Sequence, residues 1–329
     1  MALSWSGATG YTDRNSNSEA IRPQHPVRVA SNTKTFVAAA ILRLWEEQHL
    51  DLDVSIRQFL SSEHCTIIST HGYSLEAITI RHLLTHTSGL FDYADKQFET
   101  TFTENPHHRW TRTEQLQGAM KWGKPYGEPG EVYRYSDTGY ILLGEIIERV
   151  YGQSLGIALR QLLDYSRLGL NATWLEILEP APAGLLSRVH QYVGDVDTYH
   201  HDASYDIYGG GGLVSTVGDL ARFMQALFVG NVYAQPTTLE AMLTTVHATR
   251  GGPACRGTEQ TPGTYRLGIQ GGKTGTVYSH SGYLGTVGAY IPALDVAFSF
   301  SINISQHDGA NDERKKLLTA ILALFEVTA

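Results

Sequence analysis

The sequence predicts an α+β fold with two lobes. Strand-like stretches lie near both ends of the chain, and helical periodicity dominates the middle. The first and last helical patterns each carry one apolar face. A mainly antiparallel sheet flanked by the terminal helices would form an α/β lobe from about residues 1–55 and 205–329. Residues of about 56–204 would form a mainly helical lobe, leaving a cleft between the two.

The elements follow in order. Residues 2–11 alternate loosely and read as a strand, and Val27-Arg28-Val29 as a second, short one. After Ser31 the apolar residues Phe36, Val37, Ala40, Ile41, Leu44 and Trp45 fall at helical spacing. Ile80–Leu84 is a short helix stopped by Ser88-Gly89, and residues 91–112 read as a long polar loop. Pro125–Gly130 is a turn cluster, followed by a helix from about Asp137 to Tyr151 that ends at Gly152. Four glycines at 209–212 precede Leu213–Thr216. Thr216 and Asp219 resemble a capping box for a helix with Leu220, Phe223, Met224 and Leu227 inward. Residues 249–263 are a Gly/Pro-rich loop. Tyr265–Ile269, Thr286–Ile291 and Val296–Ile304 read as strands. The last helix puts Leu317, Leu318, Ile321, Leu322 and Phe325 on one side.

A chain of 329 residues with 42% hydrophobic and 18% charged residues has the make-up of a soluble globular protein. Its formal net charge of -8 argues against a nucleic-acid partner. The one basic run, Arg314-Lys315-Lys316, reads as a solvated helix face. No apolar run approaches the ~20 residues of a membrane span. The amino terminus lacks the layout of a signal peptide, so the expectation is a cytosolic protein or one whose leader has been removed. Cys65 and Cys255 form no metal or redox motif.

Three distant pieces carry the chemistry. Ser31-Asn32-Thr33-Lys34 places a hydroxyl at the start of a helix and an amine one turn later, on one face. A serine is a poor nucleophile until a base lies within hydrogen-bond reach. A lysine serves as that base only as the neutral amine, a form that burial or nearby positive charge favours. Tyr135-Ser136-Asp137 sits between a turn cluster and a helix, at the edge of the expected cleft. A phenol beside an ammonium becomes a stronger acid, and its phenolate can take the serine proton. His280-Ser281-Gly282 opens an expected edge strand. The imidazole there can protonate a leaving group or bind an anion. The glycine lets a substrate backbone come close.

These motifs, in this order, resemble the penicillin-recognising serine hydrolases. That group includes class C β-lactamases, DD-peptidases, D-aminopeptidases and β-lactamase-like esterases. The related set in class A enzymes is Ser-x-x-Lys, Ser-Asp-Asn and Lys-Thr-Gly. The flanks Ile80–Gly89, Tyr135–Gly144 and Gly210–Thr216 are similar as well, so the resemblance spans nearly the whole chain. It implies the β-lactamase/DD-peptidase-like fold and an acyl-enzyme on Ser31. Lys34 and Tyr135 would share the proton work, and His280 would take the place of the lysine in Lys-Thr-Gly. Ser281 and Gly282 would line the substrate, and the backbone N–H groups of Ser31 and Tyr283 would form the oxyanion hole. No metal or organic cofactor is implied.

Two departures bear on substrate. Asp137 stands where many relatives have asparagine, and would meet a substrate ammonium or anchor Lys34. Histidine at 280 holds a carboxylate less firmly than lysine, which weakens the case for β-lactam turnover. The expected activity is therefore that of a D-amino-acid peptidase, a DD-carboxypeptidase or a small-ester hydrolase acting on a small molecule or short peptide. A β-lactamase, an acylated sensor without turnover and an acyltransferase are the alternatives. Oligomeric state is not legible in the sequence.

Several lookalikes point elsewhere. Lys273-Thr274-Gly275 spells the third motif, but its glycine-rich flanks fit it less well than those of His280. His82 and His86 lie four apart, yet no glutamate or third ligand accompanies them, so packing is the expectation. His107-His108 and His200-His201 read as surface residues. The glycines at 209–212 lack a following Gly-Lys-Ser/Thr and read as a tight turn beside the cleft.

Overall fold

The computed structural model describes residues 4–15, 18–244, 266, 269–271, 277–305 and 313–325. In chain order the first half holds β1 (Val27–Arg28), α1 (Thr33–Glu46), α2 (Ser62–Ser69), α3 (Ile80–Leu84), α4 (Lys96–Glu104), α5 (Arg112–Trp122) and α6 (Asp137–Tyr151). Next come α7 (Leu155–Leu162), α8 (Tyr165–Leu168), β2 (Trp174–Leu175), β3 (Tyr192–Val193), β4 (Val196–Asp197) and β5 (Leu213–Ser215). The last part holds α9 (Val217–Phe228), α10 (Pro236–Leu243), β6 (Gln270–Gly271), β7 (Tyr278–Ser281), β8 (Thr286–Ile291), β9 (Val296–Ser301), β10 (Ile304–Ser305) and α11 (Glu313–Leu324).

The α+β expectation holds. The main sheet runs β6-β7-β8-β9, all antiparallel, with Thr286 opposite Ser301 and His280 opposite Gly288. Alternation along β8 sorts its side chains to two faces. Val287, Ala289 and Ile291 pack with Leu322 of α11. On the other face Tyr290 stacks on Phe228 of α9 at 4.6 Å, and Gly288 lies against Leu220. Phe223, one turn earlier on α9, stacks on Phe36 of α1 at 3.6 Å. So α9 lies between the sheet and α1, and α1 is the buried central helix of the core. All but three of its fourteen residues are buried.

Several local expectations change. Residues 4–10 form no strand, and Tyr11 makes only an isolated bridge to Ala20. The stretch is rich in Ser and Gly, and Trp5 is 86% exposed, so no apolar face exists to bury. The amino-terminal strand that does form, β1, pairs with β5 in a separate small sheet of order β1-β5-β2. The supposed loop 91–112 contains α4. Asp95 caps it by accepting from the N–H groups of Gln97 and Phe98, and Phe98 packs against Tyr93 and Trp110.

The strand expected over Val296–Ile304 stops at Ser301, where Ile302 N–H turns back to Gly285 O. Ile304 then opens β10, which pairs in parallel with β3. Of the span Tyr265–Ile269, most lies outside the described residues, as do Lys273-Thr274-Gly275 and Cys255. His201 is buried, with its ring edge-on to Phe102 at 4.4 Å, whereas His200 and His107 are exposed. Leu317 turns outward while Leu318, Leu322 and Phe325 pack. Among the described residues no helix is long and apolar enough to cross a membrane.

Candidate active site

The entry to α1 is shaped by backbone. Ala30 has φ of 45°, a left-handed conformation that costs a non-glycine residue roughly 1–2 kcal/mol. That turn takes the chain out of β1 and into a single 3-10 turn, Ala30–Asn32, which carries Ser31 into α1. Strain of this kind is often found where a functional side chain is presented. Asn32 secures the turn. Its Nδ2 donates to Val29 O and Thr286 Oγ1 at 3.0 Å each, and its Oδ1 accepts from Gly288 N–H at 3.1 Å. The start of α1 is thereby pinned to β8.

Lys34, one turn after Ser31, is fully buried. Its Nζ donates to Ser31 Oγ at 3.1 Å and to Gly210 O at 2.5 Å, and forms an ion pair with Asp137. The glycine run at 209–212 thus bends beside the site and lends it a backbone acceptor. Gly209 and Gly212 have φ of 129° and 91°, which only glycine adopts readily.

Tyr135 comes in from the segment before α6, and its hydroxyl is hydrogen-bonded to Ser31. The ring lies 4.2 Å from that of His86, centroid to centroid, and Lys34 Nζ sits 5.0 Å above it. His86 follows α3 with φ of 56°, and its Nδ1 accepts from Ser136 N–H. The fold thus brings Ser31, Lys34 and Tyr135 into contact with one another.

The electrostatics correct one expectation. The sequence suggests that Lys34 makes Tyr135 a stronger acid. Burial, and next the Asp137 carboxylate, instead push the Tyr135 hydroxyl well above its ordinary range. In the resting site Tyr135 is a neutral phenol. Asp137 meets Lys34, which is the anchoring role of its two expected roles. Burial and the neighbouring Asp137 charge also raise the carboxyl of Asp206, which lies against Gly210 and Gly211.

His280 lies near the end of β7, inside the sheet rather than at the opening of an edge strand. Burial and the charge of Lys34 lower its imidazole to about 3. Both effects favour the neutral ring in the resting site. Its Nδ1 stands 3.1 Å from Ser281 O, an acceptor, so we assign the ring proton to Nδ1. Gly282, after Ser281, abuts Val29: a Cβ there would lie 2.3 Å from Val29 O. Tyr283 is 36% exposed at the turn into β8.

Sequence reasoning missed four contributors. His86 lies within a flank that resembles the family, and the histidine pair drew attention only as a possible metal site. Asn32 sits inside the first motif, but nothing in its spacing shows where its amide bonds. Asp92, which accepts from Asp137 N–H at 3.1 Å, and Asp206 carry no local signal at all. Among the described residues no group of three or more His, Cys, Asp or Glu is placed to hold a metal.

The beta-lactamase family pattern matches residues 3–321. Penicillin-binding protein 4* of Bacillus subtilis is 31% identical over 61% of the chain and 44% of its own length. The chain spans about half the length of the curated relatives it matches. Among solved structures, a D-stereospecific amidohydrolase from Streptomyces sp. is 26% identical, with a TM-score of 0.75 over 90% of this chain and 86% of its own. The D-amino acid amidase of Ochrobactrum anthropi SV3, at 23% identity, shares the fold with a TM-score of 0.79 over 97% of this chain and 88% of its own. Matched over nearly its whole length, the chain belongs to the beta-lactamase family, a family of serine hydrolases.

Proposed function

We propose that this protein cleaves amides or esters through an acyl-enzyme on Ser31, and that its substrates are D-amino-acid amides or short peptides with a free ammonium. The observation that carries the chemistry is the position of Ser31 Oγ, hydrogen-bonded to both Lys34 Nζ and the Tyr135 hydroxyl. Ser31 Oγ attacks the carbonyl carbon and its proton passes to the Lys34–Tyr135 pair. In a buried pair, Lys34 can hand its own proton to Asp137 and accept that of serine as a neutral amine. The carbonyl oxygen takes up the negative charge, facing the N–H groups of Ser31 and Tyr283. Such donors are worth about 3–4 kcal/mol each. The tetrahedral centre collapses as the leaving amine or alcohol collects the proton. Water, deprotonated by the same pair, then releases the acyl group.

Charge supports the substrate class. Lys34 is neutralised by Asp137, and His280 is uncharged. Asp92 adds a carboxyl group beside the pair, whereas burial and Asp137 favour the neutral form of the Asp206 carboxyl. The site thus lacks a spare cation among the groups described to hold a β-lactam carboxylate, and the carboxyl groups of Asp137 and Asp92 suit an ammonium. The Streptomyces relative, described as a D-stereospecific amidohydrolase, agrees with this reading.

Intact-protein mass spectrometry tests it. Wild type and Ser31→Ala are incubated with p-nitrophenyl esters, D-amino-acid amides, D-Ala-D-Ala peptides and β-lactams. Adducts and turnover with D-amino-acid amides, absent in Ser31→Ala, are expected. Turnover of β-lactams alone would replace the substrate assignment, and adducts that survive Ser31→Ala would end the Ser31 mechanism.

A further inference from the structure

We propose that Arg314, on α11, is a positioning residue for the oxyanion hole: it clamps the peptide that carries the Tyr283 N–H. The inference rests on the acyl-enzyme reading above and adds a residue to it. Arg314 belongs to a basic run that the sequence assigns to solvent. Lys315 and Lys316 are indeed exposed, but Arg314 is half-buried, and its Nη1 donates to Gly282 O at 2.8 Å.

Gly282 O also accepts from Gly285 N–H at 3.1 Å, while Gly282 N–H donates to Thr286 O at 2.7 Å. Both lone pairs of the carbonyl are therefore engaged, and both ends of Gly282 are tied. The Gly282–Tyr283 peptide is planar and trans, so its N–H points opposite to its C=O. Two donors that fix the C=O thus fix the direction of the Tyr283 N–H. On its other side Gly282 presses on Val29, two residues before Ser31, which brings this peptide to the nucleophile's turn.

A guanidinium on the carbonyl also polarises the whole amide. A charge-assisted bond draws electron density toward oxygen and leaves the N–H more positive. Arg314 would then aim the donor and strengthen it as negative charge builds on the substrate oxygen. The helix is held for this task by Leu318 and Leu322, which pack in one cluster with Val287, Ala289 and Ile291 of β8.

The test compares wild type, Arg314→Met and Arg314→Lys in single-turnover acylation of Ser31. The probes are p-nitrophenyl acetate and its thionoester, in which sulfur replaces the carbonyl oxygen. A thionoester gains less from an oxyanion hole, so the ester-to-thionoester rate ratio reads the hole itself. Arg314→Met is expected to acylate at least about tenfold more slowly with the ester, KM staying within about twofold. The rate ratio should fall, and Arg314→Lys should restore part of both. Wild-type rates in both variants, an equal loss on the two probes, or a rise in KM alone would overturn the proposal. Should Arg314→Met fail to fold, the rate ratio of Arg314→Lys alone decides it. If wild type itself forms no adduct on Ser31, the acyl-enzyme reading fails first, a result distinct from any change confined to the Arg314 variants.

Discussion

Lys34 and Asp137 form an ion pair at the base of the site, and the same Nζ stands 3.1 Å from Ser31 Oγ. The second motif thus supplies the counter-charge of the first. Lys34 is fully buried, and a lone ammonium there would carry a large desolvation cost. Gly210 O takes another of its protons, so the amine is held by three acceptors from three separate parts of the chain. This arrangement fixes Nζ in space before any substrate arrives.

Replacing Asp137 with Asn removes the charge but keeps the shape. The buried pair is then broken on one side, which costs about 3 kcal/mol in comparable cases. Urea denaturation at pH 7 should show a loss of that order, at an unchanged m-value. A loss under about 0.5 kcal/mol would mean that Asp137 contributes little to holding Lys34.

Tyr135→Phe deletes the hydroxyl on Ser31 and leaves the ring on His86 in place. Because the phenol is neutral in the resting site, the proposed mechanism has it relay a proton and orient Ser31 rather than act as a standing phenolate. Ser31 acylation should fall by about 10²–10³-fold, with a far-ultraviolet spectrum like that of wild type. A variant as fast as wild type would leave Lys34 as the sole proton carrier.

Stability should fall in acid through His280. An unfolded histidine titrates near 6.5, whereas the folded one, buried and facing Lys34, titrates at about 3. Between those values the unfolded chain binds more protons, so folding stability declines as pH drops from 6.5 toward 3. Fully developed, the difference approaches about 5 kcal/mol. Denaturation curves at pH 7, 5 and 4 should show the decline, and it should be shallower in His280→Asn. Parallel pH dependence in the two proteins would assign the effect to other groups, such as His86, which burial and Lys34 also depress.

How far the sequence reaches depends on whether a feature is local. The helix Asp137–Tyr151 with its Gly152 stop and the helix opened by Thr216 were legible because caps and apolar spacing lie within one stretch of chain. So was the pairing of Ser31 with Lys34, which helical geometry alone dictates. Reciprocal capping at Thr216 was not, since Asp219 spends its carboxylate on Ala172 and Thr173 instead. The proximity of Tyr135 came only from resemblance, because nothing in its neighbours encodes a contact over a hundred residues away. Asp206 and Arg314 were invisible for the same reason: their partners are backbone and carboxylates brought near by the fold. The misread loop 91–112 shows the converse, since polar residues on the outer face of α4 masked the Phe98–Phe102 pair on its inner face.

Asn32 offers the sharpest separation of architecture from chemistry. Its amide touches no reacting atom, yet it joins Val29 O, Thr286 Oγ1 and Gly288 N–H around the turn that presents Ser31. Asn32→Ala leaves Gly288 N–H buried without that acceptor, a loss of about 1–3 kcal/mol. It also frees the turn at Ala30, whose left-handed backbone persists only while its surroundings hold it. Both effects act on the placement of Oγ, and small displacements of a nucleophile can cost as much as 10²-fold in rate. The variant should therefore show a lower unfolding free energy together with a drop of about 10–10²-fold in Ser31 acylation. Asn32→Asp, which keeps the acceptor for Gly288 N–H but loses the donor to Val29 O and Thr286 Oγ1, should retain part of the stability and less of the rate. Wild-type acylation in both variants would show that β8 does not set the position of the nucleophile.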